Sequence, residues 1–162
     1  MAQAASSEIA VVGAGPAGIA AALALAHSGA AVTLIGPAPV KQQTERLDAR
    51  TAALLENSID MLRALGVFEK LRPFAAPLKA IRIVDASDSL IRSPDLHFSA
   101  GELGREAFGY NIANSALVDV LYAAAATNAR IRLEQSPVER ITLSSEAALL
   151  ELKNGTSLSA RL

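Results

Sequence analysis

A glycine-rich turn between an apolar strand and an alanine-rich helix constrains the fold of this chain more than any other feature. Gly13, Gly15 and Gly18 form a G-x-G-x-x-G motif, with Pro16 and Ala17 between the last two glycines. In such a motif the first glycine permits the tight turn, the second lets the backbone approach a pyrophosphate, and the third lets the helix pack on the strand. The motif predicts a βαβ unit whose first strand is central in a parallel sheet, with a dinucleotide at the amino terminus of the helix. The alternative, in which the glycines serve only the turn and its packing, stays open.

The sequence on both sides of the glycines supports the βαβ prediction. Residues 9–12 favour a strand, residues 16–27 a helix and residues 31–35 a second strand. Residues 9–40 carry no formal charge, which raises the alternative of a membrane-spanning helix. We reject that alternative because glycines and a proline interrupt the segment, whereas a buried βαβ unit requires apolar strands and a helix of small residues.

Composition excludes several other kinds of site. The 162 residues include no cysteine, so the chain has no disulfide and no thiolate metal site, and redox chemistry requires a cofactor. A formal net charge of −1 gives no basis for binding nucleic acid and favours small-molecule partners. His27 and His97 lack a metal-ligand spacing, so we expect no metal site. Residues 1–7 lack the features of a secretory signal, and we expect a cytoplasmic protein.

The rest of the chain alternates predicted helices and strands. Helices are predicted over residues 49–65 and 115–126, with one further helical turn over residues 67–71. This order predicts an α/β protein with a Rossmann-like βαβ unit followed by a β-rich segment. The predicted strands are residues 80–85, 90–92 with an extension over 95–99, 130–134, 138–143, 147–152 and 157–162, the last reached through an Asn154-Gly155 hairpin turn.

Several segments resemble the flavoprotein aromatic hydroxylases, and most closely the ubiquinone-biosynthesis (2-polyprenylphenol) hydroxylases. The glycine motif carries a Pro-Ala pair that is common in FAD enzymes of this kind. Residues 48–54 are similar to the family's D-x-R-x-x-A-L run, and residues 111–117 are similar to the segment that opens a helix beside the flavin. The resemblance implies a Rossmann-like FAD-binding domain and these cofactor-binding residues: Gly13, Gly15, Pro16, Ala17, Gly18, Gly36, Arg50, Asn114 and Val138.

Two of these residues also have a physical interpretation. Arg50 is predicted near the amino terminus of a helix, where a cation is disfavoured unless an anion is nearby, so we expect it to bind a cofactor phosphate. The alternative is a surface ion pair with Asp48 or Glu45. Asn114 either caps the helix that follows it or contacts the cofactor, and the two roles are compatible. In the family, the backbone of the strand that holds Val138 lies against the adenine.

The resemblance implies a reaction as well as a fold. It implies that FAD is reduced by NAD(P)H, that the reduced flavin reacts with oxygen, and that a hydroxyl group passes to a phenolic ring. The sequence identifies no catalytic acid or base. A small aromatic substrate is implied, while peripheral membrane association and a homo-oligomer stay open. Two other classes also stay open, namely a non-catalytic nucleotide-binding module and an NAD(P)-dependent oxidoreductase.

The sequence departs from the family pattern in two ways. Gly36 stands where an acidic residue usually binds the adenosine ribose, and the backbone and the polar residues 41–45 are the candidates to replace it. The family's D-G and G-D motifs are absent, so we expect an incomplete hydroxylase that binds FAD weakly. We assign residues 1–78 to dinucleotide binding, residues 79–110 to the start of a substrate-domain sheet, and residues 111–162 to a return to the FAD-binding domain.

Overall fold

Two segments of the chain, Met1–Asp48 and Ser115–Leu162, form one unit, and Ala49–Asn114 forms a second unit. A computed structural model describes residues 5–39, 50–88, 90 and 92–161. The strands among the described residues are β1 (Ala5–Ser7), β2 (Ile9–Val12), β3 (Val32–Ile35), β4 (Thr51–Leu55), β5 (Ala75–Pro77), β6 (Ala80–Ile83), β7 (Leu96–Ser99), β8 (Gly109–Ala113), β9 (Ile131–Glu134), β10 (Val138–Leu143), β11 (Ala147–Leu152) and β12 (Ser157–Arg161). The α-helices are α1 (Pro16–His27), α2 (Glu56–Ala64), α3 (Phe68–Leu71) and α4 (Asn114–Ala126).

A parallel sheet in the first unit carries the glycine-rich turn. Its strand order is β2-β3-β9, and β2 and β3 pair in parallel from Ile9 opposite Val32 to Val12 opposite Ile35. This confirms the predicted βαβ unit. The expectation that β2 is the central strand was wrong for the described residues, because β9 pairs with the far side of β3.

Apolar packing on both faces of β3 explains why this strand is buried. All four of its residues are buried, and α1 packs against β2, β3 and β9. Alanines make up much of α1 and allow a close approach to the sheet. Among the described residues, no helix is both long and apolar enough to cross a membrane.

A second sheet covers the other side of the first unit's core. Its order is β1-β12-β11-β10, with β1 parallel to β12 and the other pairs antiparallel. The predicted strands over residues 130–152 and the hairpin at Asn154-Gly155 are confirmed. The core cluster between the sheets consists of Ile35, Leu150, Leu152, Leu158 and Ala160.

The second unit contains the clearest error of the sequence-based prediction. Residues 51–55 were predicted as the first part of a helix, but they form β4, which pairs with β8 along its whole length. The helix begins only at Glu56, and the start of the predicted helix at residue 49 lies outside the described residues. Pairing with a distant strand overrides the helical propensity of the alanines and leucines, because it satisfies the backbone and half-buries alternate side chains.

A separate hairpin in the second unit has a longer connection than predicted. β6 pairs with β7, so residues 90 and 92 lie in the connection, and the predicted extension over 95–99 supplies the partner strand. The carboxylate of Asp85 accepts hydrogen bonds from the backbone N–H groups of Ser87 and Ser93. These bonds stabilise the ionised form and lower the pKa of Asp85 below its usual value.

We predict that Gly18→Ala destabilises the chain by about 1–3 kcal/mol or more, the usual cost of overpacking. A Cβ at this position would lie 1.9 Å from the carbonyl oxygen of Gly13, so the helix has to move away from the turn. Urea unfolding followed by circular dichroism measures the loss. Gly101→Ala is the matched control, since its Cβ would lie 3.6 Å from the Ser99 hydroxyl oxygen. Equal stability of the two variants would contradict the packing role of Gly18.

A second prediction concerns the core between the two sheets. Leu158→Ala should lower the free energy of unfolding by about 2–5 kcal/mol, because Leu158 is fully buried and its truncation leaves a cavity. Leu143→Ala, at a leucine that is 67% exposed on β10, should cost about 0.5 kcal/mol or less. Denaturant midpoints for both variants give the comparison. A loss at Leu143 as large as that at Leu158 would show that β10 is covered in solution.

Candidate functional site

The glycine-rich turn lies at the carboxyl end of the parallel sheet. Gly13 follows β2 directly with a φ of +113°, a conformation that favours glycine. Its backbone N–H donates a 2.7 Å hydrogen bond to the carbonyl oxygen of Ile35, the last residue of β3. The turn is therefore fixed to the end of the neighbouring strand. Ligands of open α/β sheets bind at this edge.

The first turn of α1 presents backbone donors at the same edge. Gly15 precedes the helix without a side-chain cap, Pro16 is its first residue, and the first intrahelical bond runs from the Ile19 N–H to the Gly15 carbonyl oxygen at 2.9 Å. The N–H groups of Ala17 and Gly18 therefore have no acceptor within the helix. No acidic residue lies in this first turn. The positive end of the helix dipole and these donors suit an anion such as a pyrophosphate.

The glycines of the motif have different roles. Gly18 is required by packing, since a Cβ there would collide with the Gly13 carbonyl oxygen. Gly15 is not required by the fold, because its φ is −82° and a Cβ there would meet no heavy atom within 4 Å. The open space at Gly15 is the kind of cradle that a phosphate group fills. The turn therefore requires a glycine at position 13 and packing requires one at position 18, whereas neither requires one at position 15.

Gly36 lies beside this cradle, at the end of β3. Its backbone N–H donates to the carbonyl oxygen of Glu134 at 2.8 Å. A Cβ at residue 36 would lie 2.7 Å from the backbone nitrogen of Ala14. In this structure a side chain at residue 36 would therefore require the turn to shift. The polar residues 41–45 lie outside the described residues.

Arg50 and Asn114 lie together in the second unit. The carbonyl oxygen of Arg50 accepts the backbone N–H of Asn114 at 3.0 Å. Arg50 immediately precedes a strand, β4, so the argument that placed its side chain at the positive end of a helix was wrong. The proposed ion-pair partners Asp48 and Glu45 lie outside the described residues.

The remaining sequence-predicted residue, Val138, lies in the first unit. It begins β10 opposite Leu152 and packs against the core cluster. Its side chain therefore has a packing role, which leaves the backbone as the group that can contact a ligand. Among the described residues, no group of three or more histidine, aspartate or glutamate side chains is arranged to hold a metal ion.

Each unit also contains a cavity that no sequence pattern predicts. One, of about 230 Å³ in the second unit, is bordered by Glu56, Arg63, Arg105 and Tyr110. Its arginines are paired: Arg105 bonds to Glu56, and Arg63 lies 2.8 Å from Asp60. Arg105 and Glu56 are 49 residues apart in sequence, so no local sequence pattern indicates that they pair.

The other cavity, of about 400 Å³, lies in the first unit at the amino end of the parallel strands, opposite the glycine-rich turn. Arg130 borders it and donates a 2.8 Å hydrogen bond to the carbonyl oxygen of Gly29, just beyond α1. A cation at the carboxyl end of a helix stabilises that helix. Arg130 thus has a structural role at the carboxyl end of α1.

Comparison with known proteins agrees with the geometry of the turn. The chain is 32% identical over 160 residues to ubiquinone hydroxylase UbiM of Neisseria meningitidis, covering 96% of this chain and 34% of that protein. It is also 32% identical over 162 residues to 3-demethoxyubiquinol 3-hydroxylase of Escherichia coli, covering 96% of this chain and 40% of that protein. The chain therefore spans well under half the length of these relatives.

Solved structures with the same fold include flavin-dependent monooxygenases. p-Nitrophenol 4-monooxygenase PnpA of Pseudomonas putida matches with a TM-score of 0.71 at 18% identity, over 98% of this chain and 40% of that one. The flavin-dependent monooxygenase PieE, solved with FAD and substrate, matches with a TM-score of 0.69 at 18% identity, over 96% of this chain and 29% of that one. The sequence model of an FAD binding domain matches residues 6–153. The chain belongs to this family of FAD-binding domains.

Proposed function

We propose that the chain is the FAD-binding part of a flavin-dependent monooxygenase that hydroxylates a phenolic, polyprenylated ring in ubiquinone biosynthesis. The names of the two relatives support the substrate class, and the family supports the cofactor. The observation that carries the proposal is the open space at Gly15. A Cβ there would meet no heavy atom, so the backbone at Gly15 is open to the close approach of a pyrophosphate.

The residues of the turn bind and orient the cofactor in this proposal. The N–H groups of Ala17 and Gly18 donate to the pyrophosphate, and Pro16 sets the start of the helix without a competing donor. Gly13 and Gly36 keep the ends of β2 and β3 close to the phosphates. These groups position the cofactor and take no part in proton transfer.

Three other residues complete the proposed cofactor contacts. The guanidinium of Arg50 binds a phosphate, for which its planar donor geometry is suited. Asn114, which is bonded to Arg50 through the backbone, contacts the flavin end of the cofactor. The backbone of Val138 lies against the adenine, which its position at the start of β10 allows.

When bound, FAD supplies the redox chemistry that this cysteine-free chain lacks. In the proposed reaction NAD(P)H provides two electrons, one atom of O₂ enters the ring as a hydroxyl group, and the other leaves as water. The chain contributes binding and orientation. We assign no catalytic acid or base among its residues.

The substrate region begins, in this proposal, with residues 79–110. The hairpin supports this, because the directly paired side chains Ile81 with Phe98 and Ile83 with Leu96 form one apolar face that is substantially exposed. An apolar surface of this kind suits an aromatic, polyprenylated substrate. A substrate with a long apolar tail also favours peripheral membrane association. A cytoplasmic location, where NAD(P)H is available, and a homo-oligomer are compatible with the proposal.

We predict that Gly15→Ala weakens FAD binding by about 1.5–3 kcal/mol, the range for a hydrogen bond to a charged group. The added methyl group fills the cradle without touching protein atoms, so the free energy of unfolding should change by about 1 kcal/mol or less. Titration calorimetry with FAD and urea unfolding measure the two effects, and Gly101→Ala is the control. Unchanged FAD affinity in Gly15→Ala would contradict the proposed function. Tighter binding of NAD⁺ than of FAD by the unmodified chain would favour the oxidoreductase alternative.

A further prediction tests the role of Arg50. Arg50→Ala should weaken FAD binding by about 1.5–3 kcal/mol, and Arg50→Lys should recover only part of the loss because an ammonium group cannot form a two-pronged bond to a phosphate. Fluorescence titration with FAD measures both variants. Arg72→Ala is the control, since Arg72 is an exposed arginine whose ion pair with Glu69 is long at 3.5 Å. An affinity equal to that of the control would remove Arg50 from the cofactor site.

A further inference from the structure

The carboxyl edge of the parallel sheet lacks the acidic residue that usually binds an adenosine ribose. In dinucleotide-binding folds, a carboxylate at the end of the second strand accepts hydrogen bonds from the ribose hydroxyls. Here that position is Gly36, and a Cβ there would lie 2.7 Å from the backbone nitrogen of Ala14, too close for an undisturbed contact. A side chain at residue 36 therefore requires the glycine-rich turn to shift.

A carboxylate is nevertheless present at this edge, on the neighbouring strand. Residues 12–15, 35–39 and 134–137 end or follow the three strands, and Glu134 is the one acidic residue among them. It occupies the last register position of β9, directly opposite Ile35. Its carbonyl oxygen accepts the N–H of Gly36 at 2.8 Å, so the backbone of Glu134 is bonded directly to the position that lacks the acid.

The side chain of Glu134 is held beyond the end of its strand. Its Oε1 atom accepts the backbone N–H of Ser136 at 3.1 Å, which places the carboxylate over the turn that follows β9. The Ser136 hydroxyl oxygen in turn accepts the N–H of Asn154 at 3.1 Å. The turn is thus tied to the hairpin between β11 and β12. Because an ionised carboxylate has two oxygens and about four acceptor sites, the bond to Ser136 leaves Glu134 able to accept hydroxyl donors.

We propose that Glu134 binds the hydroxyl groups of the adenosine ribose in place of an acidic residue at position 36. This inference rests on the proposed function and assigns one more residue to the same cofactor site. The competing explanation is that Glu134 only stabilises the turn through Ser136.

Binding of ADP and 2′-deoxy-ADP to the 162-residue chain tests the inference by titration calorimetry. The unmodified chain should bind ADP at least about tenfold more tightly, the effect of one hydrogen bond to a charged acceptor. In Glu134→Gln this preference should fall to about twofold or less. The amide oxygen can still accept the Ser136 N–H, so the melting temperature should not change. Glu139→Gln, the same change at an exposed glutamate on β10, should keep the full preference.

Three results would overturn the inference. The first is equal affinity of the unmodified chain for ADP and 2′-deoxy-ADP, which would show that no carboxylate binds the 2′-hydroxyl group. This comparison needs no variant. The second is a Glu134→Gln variant that keeps the full preference for ADP over 2′-deoxy-ADP, which would show that another residue binds the ribose. A chain that binds neither ADP nor FAD overturns the proposed function, and the ribose assignment with it.

Discussion

The first unit depends on the close approach of α1 to the strand before it. A Cβ at Gly18 would stand 1.9 Å from the Gly13 carbonyl oxygen, so the helix can lie this close only with a glycine at that position. The same turn is fixed to the end of β3 by the bond from the Gly13 N–H to the Ile35 carbonyl oxygen. Strand, helix and neighbouring strand are therefore held in one arrangement, and the helix amino terminus is directed to the edge where a cofactor binds.

This contact also explains the composition around it. Small residues on α1 let the helix pack on β3, and Ile35 fills the opposite face against Leu150 and Leu158. At the end of β3 the space that a side chain would need is taken by the turn itself, so Gly36 follows from the same geometry. The position at which an acidic residue usually binds the ribose is thus packed closely against the glycine-rich turn. A carboxylate on the adjacent strand, at Glu134, compensates for the missing acid in our account.

The sequence predicted the parts of the fold that are set by local pattern. The βαβ unit and the strands from β9 to β12 are marked by apolar runs and by turn residues such as Asn154-Gly155, and they were found close to the expected bounds. β4 was predicted as helix because alanine and leucine favour one, and only its pairing with β8 reveals the strand. Arg50 was predicted to bind a phosphate partly because it was expected near the amino terminus of a helix. That reason was wrong, because a strand, β4, follows Arg50. Glu134 was missed because its place at the sheet edge depends on strand order, which no local spacing encodes.

The family resemblance and the structure therefore support different parts of the account. Membership of the FAD-binding-domain family rests on the match over residues 6–153, whereas the site within the chain rests on the contrast between Gly15 and Gly18. Packing requires a glycine at position 18, whereas the open space at Gly15 leaves the backbone accessible to a ligand. The central claim is that the first turn of α1 holds the pyrophosphate of a dinucleotide.

Backbone amide chemical shifts, recorded by two-dimensional NMR during addition of ADP, test that claim most directly. We expect the largest shifts at the amides of residues 13–15 and 17–18, with smaller ones at the ends of β3 and β9. Shifts centred instead on Ala129, Arg130 and Arg132, which border the cavity at the opposite end of the strands, would contradict it.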